Sequence, residues 1–234
     1  MEGTATSSVN ERLLDSYTAF SQPRLDSRLL ESVFGSRPGK CLWIGSYVGL
    51  VARLPTAPDC LLDLDHGVLR QAIQHLPGTP AVQADIRWLP FREQFDLIVA
   101  PGCVSAYLTT DDALQQAASA LHQALRPGGM LYMDAYDSAR ILDMDYFQGS
   151  ADFVADSVRW TRHARARVVQ ETPFLFDVRL CFSAPNLGVS EIAFRQRGFC
   201  QQELCRAFEC VGLRVMASLQ QPKEGRFACV FRMA

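Results

Sequence analysis

Two stretches, FDLIVA at residues 95–100 and LRPGGMLYMDA at residues 125–135, decide the fold together with the segment that joins them. Between them Leu114, Ala117, Ala118, Leu121 and Leu125 recur at helical spacing, which predicts one apolar helix face. Thr109 and Asp112 predict a capping-box-like start for that helix, and Pro127-Gly128-Gly129 predicts its stop, with a strand over Met130 to Ala135. Two continuous apolar runs joined by an amphipathic helix read as parallel strands buried on both faces, linked by a crossover.

The same alternation extends upstream. CLWI at 41–44 is a compact run ended by Gly45 and Gly49. CLLDL at 60–64 is another, and Ala81 to Ile86 is a third. Val68, Leu69, Ala72, Ile73 and Leu76 form a helix face between the last two, stopped by Pro77-Gly78. For its start, Asp65 or His66 is better placed as the N-cap than Asp63. Residues 11–34 are helical in pattern and broken at Gln22-Pro23.

Downstream the period changes. Residues 157–167, 168–180 and 189–194 contain alternating or β-rich stretches separated by Pro173, Pro185-Asn186 and Gly188, which predict antiparallel strands. A helix over 201–211 capped by Gly212, then strands over 213–219 and 227–231, complete the chain. The expected fold is α/β: a doubly wound, mostly parallel seven-stranded sheet with helices on both faces and an antiparallel β insertion after the fifth strand.

Composition narrows the function classes. The 234 residues are 48% hydrophobic and 21% charged with a net charge of −2, an ordinary globular balance. No basic field exists to attract nucleic acid or an anionic membrane, so neither is expected as a partner. No apolar run approaches the length that spans a bilayer. The one basic cluster, Arg159, Arg162, His163, Arg165 and Arg167, reads as the solvated face of a strand. The eight cysteines contain no CxxC pair. Cys200, Cys205 and Cys210 fall at intervals of five, which on a helix turns their thiols apart, and no metal site is expected. Cys41, Cys60 and Cys103 read as small buried hydrophobes. Unpaired thiols and an N-terminus without a signal-like pattern lead to an expected cytoplasmic location.

In an open parallel sheet, ligands bind beyond the carboxyl ends of the strands. Those ends offer Gly45, Ser46 and Gly49 after the first strand, Asp63 and Asp65 after the second, and Asp85 and Ile86 after the third. Ala100, Pro101 and Gly102 follow the fourth, and Asp134, Tyr136 and Asp137 end the fifth. This ordered set resembles the class I methyltransferases that use S-adenosylmethionine, over most of the chain. The resemblance rests on the Gly45-to-Gly49 loop, Asp63, Asp85-Ile86, Leu89-Pro90-Phe91, Phe95 to Val99, and the Leu125 to Gly129 turn. Arg197-Gly198-Phe199 and Glu203-Leu204, ahead of Gly212-Leu213, resemble the family's final helix and strand.

What the resemblance implies is specific. Asp63 falls where a carboxylate holds the ribose hydroxyls, with Leu64 beside it. Asp85 falls where an acid meets the adenine amino group, with Ile86 packing the ring. Gly45, Ser46 and Gly49 fall in the loop against the cofactor, and Pro101 borders it. Two positions depart from the pattern: Trp43 stands at the usual acid of that loop and Tyr47 at its central glycine. Both are expected to narrow the cofactor site. Tyr17, Tyr107, Tyr136 and Tyr146 are candidates for the acceptor pocket, each equally readable as packing. No residue stands out as a general base.

The implied organisation is one methyltransferase-like domain over 1–234. It comprises N-terminal helices (1–36), a cofactor-binding half (40–137), a β insertion covering the acceptor side (138–198) and the final helix and strands (199–234). The implied activity is transfer of a methyl group from S-adenosylmethionine to the nitrogen or oxygen of a small molecule. The alternative is a methyltransferase-like protein that no longer methylates and acts as a binding or scaffold protein, or runs another reaction in the same pocket. The sequence leaves the oligomeric state open.

Overall fold

The computed structural model describes residues 39–45, 57–144, 147–155, 157–186, 188–221, 223 and 225–233. The expected N-terminal helices, Ser46, Tyr47 and Gly49 of the loop, and Tyr17 and Tyr146 lie outside the described residues.

The main sheet comprises β1 (Cys41–Ile44), β2 (Cys60–Asp63), β3 (Ala81–Gln83), β4 (Phe95–Ala100), β5 (Leu125–Tyr136), β10 (Leu213–Gln221) and β11 (Arg226–Met233). Its order is β10-β11-β5-β4-β1-β2-β3. β1 pairs in parallel with β2 and β4, β2 with β3, and β4 with β5. β11 runs antiparallel between β5 and β10. Strand order reverses at β1, the position where such sheets open a ligand crevice.

Alternate residues of each central strand feed two separate cores. Leu42, Ile44, Leu62, Ile98, Leu131 and Met133 pack on one face against Leu114, Leu121, Leu204 and Phe208. Cys41, Trp43, Leu61, Val99 and Tyr132 pack on the other against Leu69 and Ala72. Burial on both faces is why these strands read as unbroken apolar runs. Each large side chain so buried stabilises the fold by roughly 1.5–3 kcal/mol.

Three helices are described: α1 (His66–His75), α2 (Asp111–Ala124) and α3 (Gln201–Glu209). Asp65 caps α1, its carboxylate accepting the N–H groups of Gly67 and Val68. α2 is capped by Thr110, whose hydroxyl accepts the Ala113 N–H, and not by the expected Thr109. Asp111 and Asp112 in its first turn and His122 in its last suit the helix dipole.

Other boundaries moved as well. α2 ends at Ala124, and Pro127-Gly128-Gly129 lies within the opening of β5 instead of stopping the helix. Leu125 already pairs with Phe95 across β4, so the chain enters the sheet before the turn residues, and the register shifts between Phe95 and Leu97. β3 ends at Gln83, leaving Asp85 and Ile86 in the turn that follows.

The insertion is a four-stranded antiparallel sheet of β6 (Gly149–Ala155), β7 (Val158–Gln170), β8 (Leu175–Ala184) and β9 (Gly188–Arg197). β6 had no sequence signal strong enough to predict it. The sheet leaves and rejoins the fold at one place: Phe199 donates its N–H to Tyr136 O at 2.8 Å, and Ser138 donates to Phe199 O at 3.0 Å. Trp160, Ala164, Phe176, Val178, Leu180 and Phe182 form its buried face against Cys103, Ala106 and Tyr136. The basic cluster of β7 is only partly the solvated face expected. Arg159, His163, Arg165 and Arg167 are exposed, whereas Arg162 is buried beside Trp160 and Ala164 on the inner face, because it shares their strand parity.

Candidate functional site

The carboxyl ends of β1, β2, β3 and β4 converge on one edge. Gly45 ends β1 with φ +83°, and a Cβ there would stand 2.6 Å from Val104 Cγ2. Only glycine fits this turn, which brings the backbone of the loop close to the start of the segment after β4. Trp43 does not narrow the site as expected. Its side chain is fully buried in the core on the α1 side of the sheet, and its indole N–H donates to Gly45 O at 3.1 Å. The indole therefore fixes the first turn of the loop from behind.

Asp63 ends β2 half-buried, and its Oδ1 accepts the Asp65 N–H at 2.9 Å, which turns the chain toward α1. Leu64 beside it is 65% exposed. An apolar side chain so placed next to a carboxylate is a wall and a hydrogen-bonding group on one rim. Asp85 follows β3, with Arg87 forming a fork on it: Nε lies 3.0 Å from both carboxylate oxygens and Nη2 2.5 Å from Oδ2. Those hydrogen bonds hold the Asp85 carboxyl below the usual carboxylate range against the opposing effect of burial. Ile86 is packed into the main core, and Pro101 is buried at the end of β4.

After β4 the chain makes a 3-10 turn, Val104–Tyr107, entered through Cys103 in the left-handed region at φ 59°. Asp134, fully buried on β5, secures that entry. It accepts the Gly102 N–H at 3.1 Å and the Cys103 N–H at 2.6 Å, while Ser105 Oγ donates to Asp134 O at 2.8 Å. Burial pushes the Asp134 carboxyl above its ordinary value, with Arg226 and the two amides opposing. Burial likewise pushes the Cys103 thiol far up, so it is a packed hydrophobe and not a nucleophile.

The turn presents Tyr107 with 62% of its surface open. Desolvation is the first cause that raises its hydroxyl above its ordinary value and the charge of Asp63 adds to it, while the amide of Gln196 acts the other way. Its ring centroid lies 6.5 Å from that of Phe194. Tyr107 thus stands between the β2 acid and β9 of the insertion. Tyr136, by contrast, is only 5% exposed, with its ring edge-on to Phe147 and Phe176.

The edge therefore gathers Gly45, Asp63, Leu64, Asp85, Pro101 and Tyr107. Sequence reasoning missed Arg87 and Gln196. The Asp85-Ile86-Arg87 spacing was the available signal for the first, and the parity of Gln196 with Phe194 on β9 for the second.

Residues 45–129 match the methyltransferase domain family. That match takes in Gly45, Asp63, Asp85 and the Leu125 to Gly129 turn, and it supports the resemblance to the class I S-adenosylmethionine-dependent methyltransferases. The class I methyltransferase fold is shared with an amino pentose methyltransferase of Micromonospora echinaspora, solved with S-adenosylmethionine bound. The TM-score is 0.71 at 20% identity, covering 92% of this chain and 95% of that one. An S-adenosylmethionine-dependent methyltransferase from Clostridium acetobutylicum gives a TM-score of 0.70 at 14% identity, covering 93% and 96% of the two chains. Among curated proteins, this chain is 34% identical over 114 residues to the malonyl-[acyl-carrier protein] O-methyltransferase of Geobacter sulfurreducens. That match takes in 44% of this chain and spans 42% of the length of that relative.

Proposed function

We propose that this chain is an S-adenosylmethionine-dependent methyltransferase acting on nitrogen or oxygen of a small molecule. The observation that carries the reading is the meeting of a glycine-only turn at Gly45 with Asp63 and Asp85 along one open sheet edge, faced by Tyr107. These groups fit the cofactor chemically. A carboxylate at Asp63 accepts two ribose hydroxyls, Asp85 accepts an amino group, and Leu64 offers an apolar surface to a planar base. Gly45 keeps Cβ bulk away from the approach of the loop. When bound, S-adenosylmethionine supplies an electrophilic methyl group on a sulfonium.

The protein binds and orients. Asp134 fixes the turn that carries Tyr107, and Trp43 fixes the turn at Gly45, so both walls are set before a ligand arrives. The insertion packs over the ends of β4 and β5 and, as a lid, excludes water from the acceptor side. In this reading residues 1–234 form one functional unit, with the insertion setting acceptor choice. The sugar N-methyltransferase of Streptoalloteichus and the 1,6-didemethyltoxoflavin-N1-methyltransferase of Burkholderia thailandensis, which share the fold, support a small-molecule acceptor. A cytoplasmic location accords with the free thiols among the described residues.

Incubation with methyl-labelled S-adenosylmethionine and a panel of amines, amino sugars and phenols, followed by mass spectrometry, tests the reading. A labelled product supports it. Cofactor binding without transfer to any panel member favours the non-methylating alternative.

A further inference from the structure

The buried face of the insertion carries, at Gln196, a polar group that its packing does not explain. On β9, Phe194 and Gln196 lie opposite Val178 and Phe176 of β8, so all four share the face turned toward Cys103, Ala106 and Tyr136. Gln196 is 4% exposed, and its Oε1 is buried without a hydrogen-bond partner. A buried amide oxygen left unpaired opposes folding, and native proteins keep few of them. The same amide interacts with the hydroxyl of Tyr107, a residue 62% exposed whose hydroxyl feels the charge of Asp63. The orphaned oxygen therefore lies where the insertion meets the turn that carries Tyr107, across Tyr107 from the β2 acid.

We propose that Gln196 Oε1 is the acceptor-recognition group: it takes a hydrogen bond from the N–H or O–H of the group to be methylated. This rests on the methyl-transfer reading. A carbonyl oxygen only accepts, so it favours an amine or hydroxyl that still carries hydrogen and disfavours a carboxylate or a fully alkylated nitrogen. Tyr107 flanks the same point as a hydroxyl partner, and the Phe194 ring, 6.5 Å from that of Tyr107, covers the apolar part of the ligand. Specificity of this kind is strong, because a ligand without the donor leaves the buried oxygen unpaired.

The test compares wild type with Gln196→Met, which keeps the volume and removes the polar group. S-adenosylhomocysteine binding is first measured by calorimetry, and both proteins bind it alike. Saturation-transfer NMR in its presence then follows two probes, methyl 2-amino-2-deoxy-glucopyranoside and its quaternary N,N,N-trimethyl derivative, which has no N–H. Wild type holds the amine at least tenfold better than the trimethyl form, and Gln196→Met loses that preference. The melting temperature of Gln196→Met stays within about 4 °C of that of wild type, because Oε1 loses no intramolecular partner and only the contact of the amide with the Tyr107 hydroxyl goes. A retained preference in Gln196→Met, a wild type that treats the probes alike or holds neither, or a melting temperature lower by more than about 4 °C, overturns the assignment while leaving methyl transfer standing. Failure of wild type to bind S-adenosylhomocysteine overturns both.

Discussion

The carboxylate of Asp134 accepts the backbone N–H of Cys103 at 2.6 Å, tying β5 to the turn that carries Tyr107. Removing it leaves the amides of Gly102 and Cys103 without their acceptor inside the protein. Asp134→Ala therefore lowers the unfolding free energy by about 3 kcal/mol or more. Urea unfolding measures this, and a loss below about 1 kcal/mol would show that the turn stands without the carboxylate.

The same residue gives stability a pH dependence of known sign. Its folded pKa lies above its unfolded value because burial disfavours the charge. Above about pH 4 the unfolded chain gives up this proton first, so stability falls as pH rises from there to the raised folded value and levels off beyond it. Asp85 acts the other way: its lowered pKa supplies stability above about pH 4 that is lost as pH falls through the folded value. In Asp134→Asn the decline above pH 4 is weaker than in wild type. An unchanged profile of unfolding free energy against pH contradicts the assignment.

Trp43 contributes to the site through one hydrogen bond, from its indole N–H to Gly45 O. Trp43→Phe retains most of the packing against Leu61, Leu69 and Val99 but releases that carbonyl. Affinity for S-adenosylhomocysteine falls by roughly five- to tenfold, the effect of losing one hydrogen bond that orders a loop. Tyr47→Gly, which restores the usual central glycine, raises affinity. Equal affinity in Trp43→Phe and wild type would show that the loop orders itself.

Periodicity made the sheet legible and failed where two roles share one residue. β1, β2 and β4 are buried on both faces, so their runs were visible as strands and their ends as binding positions. Asp65 was legible as a cap because Val68 and Leu69 follow at the spacing of a first turn. The β5 start was hidden because Pro127-Gly128-Gly129 is helix-stop chemistry used inside a strand opening. Trp43 was read by its alignment to a loop acid, yet its strand parity aims it at the opposite core. The near-alternating spacing of its cluster reads Arg162 as part of one solvated face, yet its parity with Trp160 and Ala164 decides its burial. Gln196 carries only its parity with Phe194 as a signal, because a lone amide in an alternating strand looks like an outward residue until its partner strand is known.

Phe176 is fully buried and touches Tyr136, Phe147 and Phe174, at the junction of the insertion with β5. Phe176→Ala destabilises by about 3–5 kcal/mol through the cavity it leaves. Because the ring lies away from Asp63, S-adenosylhomocysteine affinity in the folded variant stays within about twofold of wild type. A larger loss of affinity, read by calorimetry at a temperature where the variant is folded, would show that the insertion also shapes the cofactor side.

Isothermal titration of wild type and Asp63→Ala tests whether Asp63 and its neighbours hold S-adenosylmethionine. Wild type gives one-site binding with S-adenosylmethionine and with S-adenosylhomocysteine. Asp63→Ala, folded by circular dichroism, binds at least tenfold more weakly, the scale for removing a charged acceptor of two hydroxyls. No binding by wild type at millimolar ligand, or an unchanged dissociation constant in folded Asp63→Ala, contradicts the account.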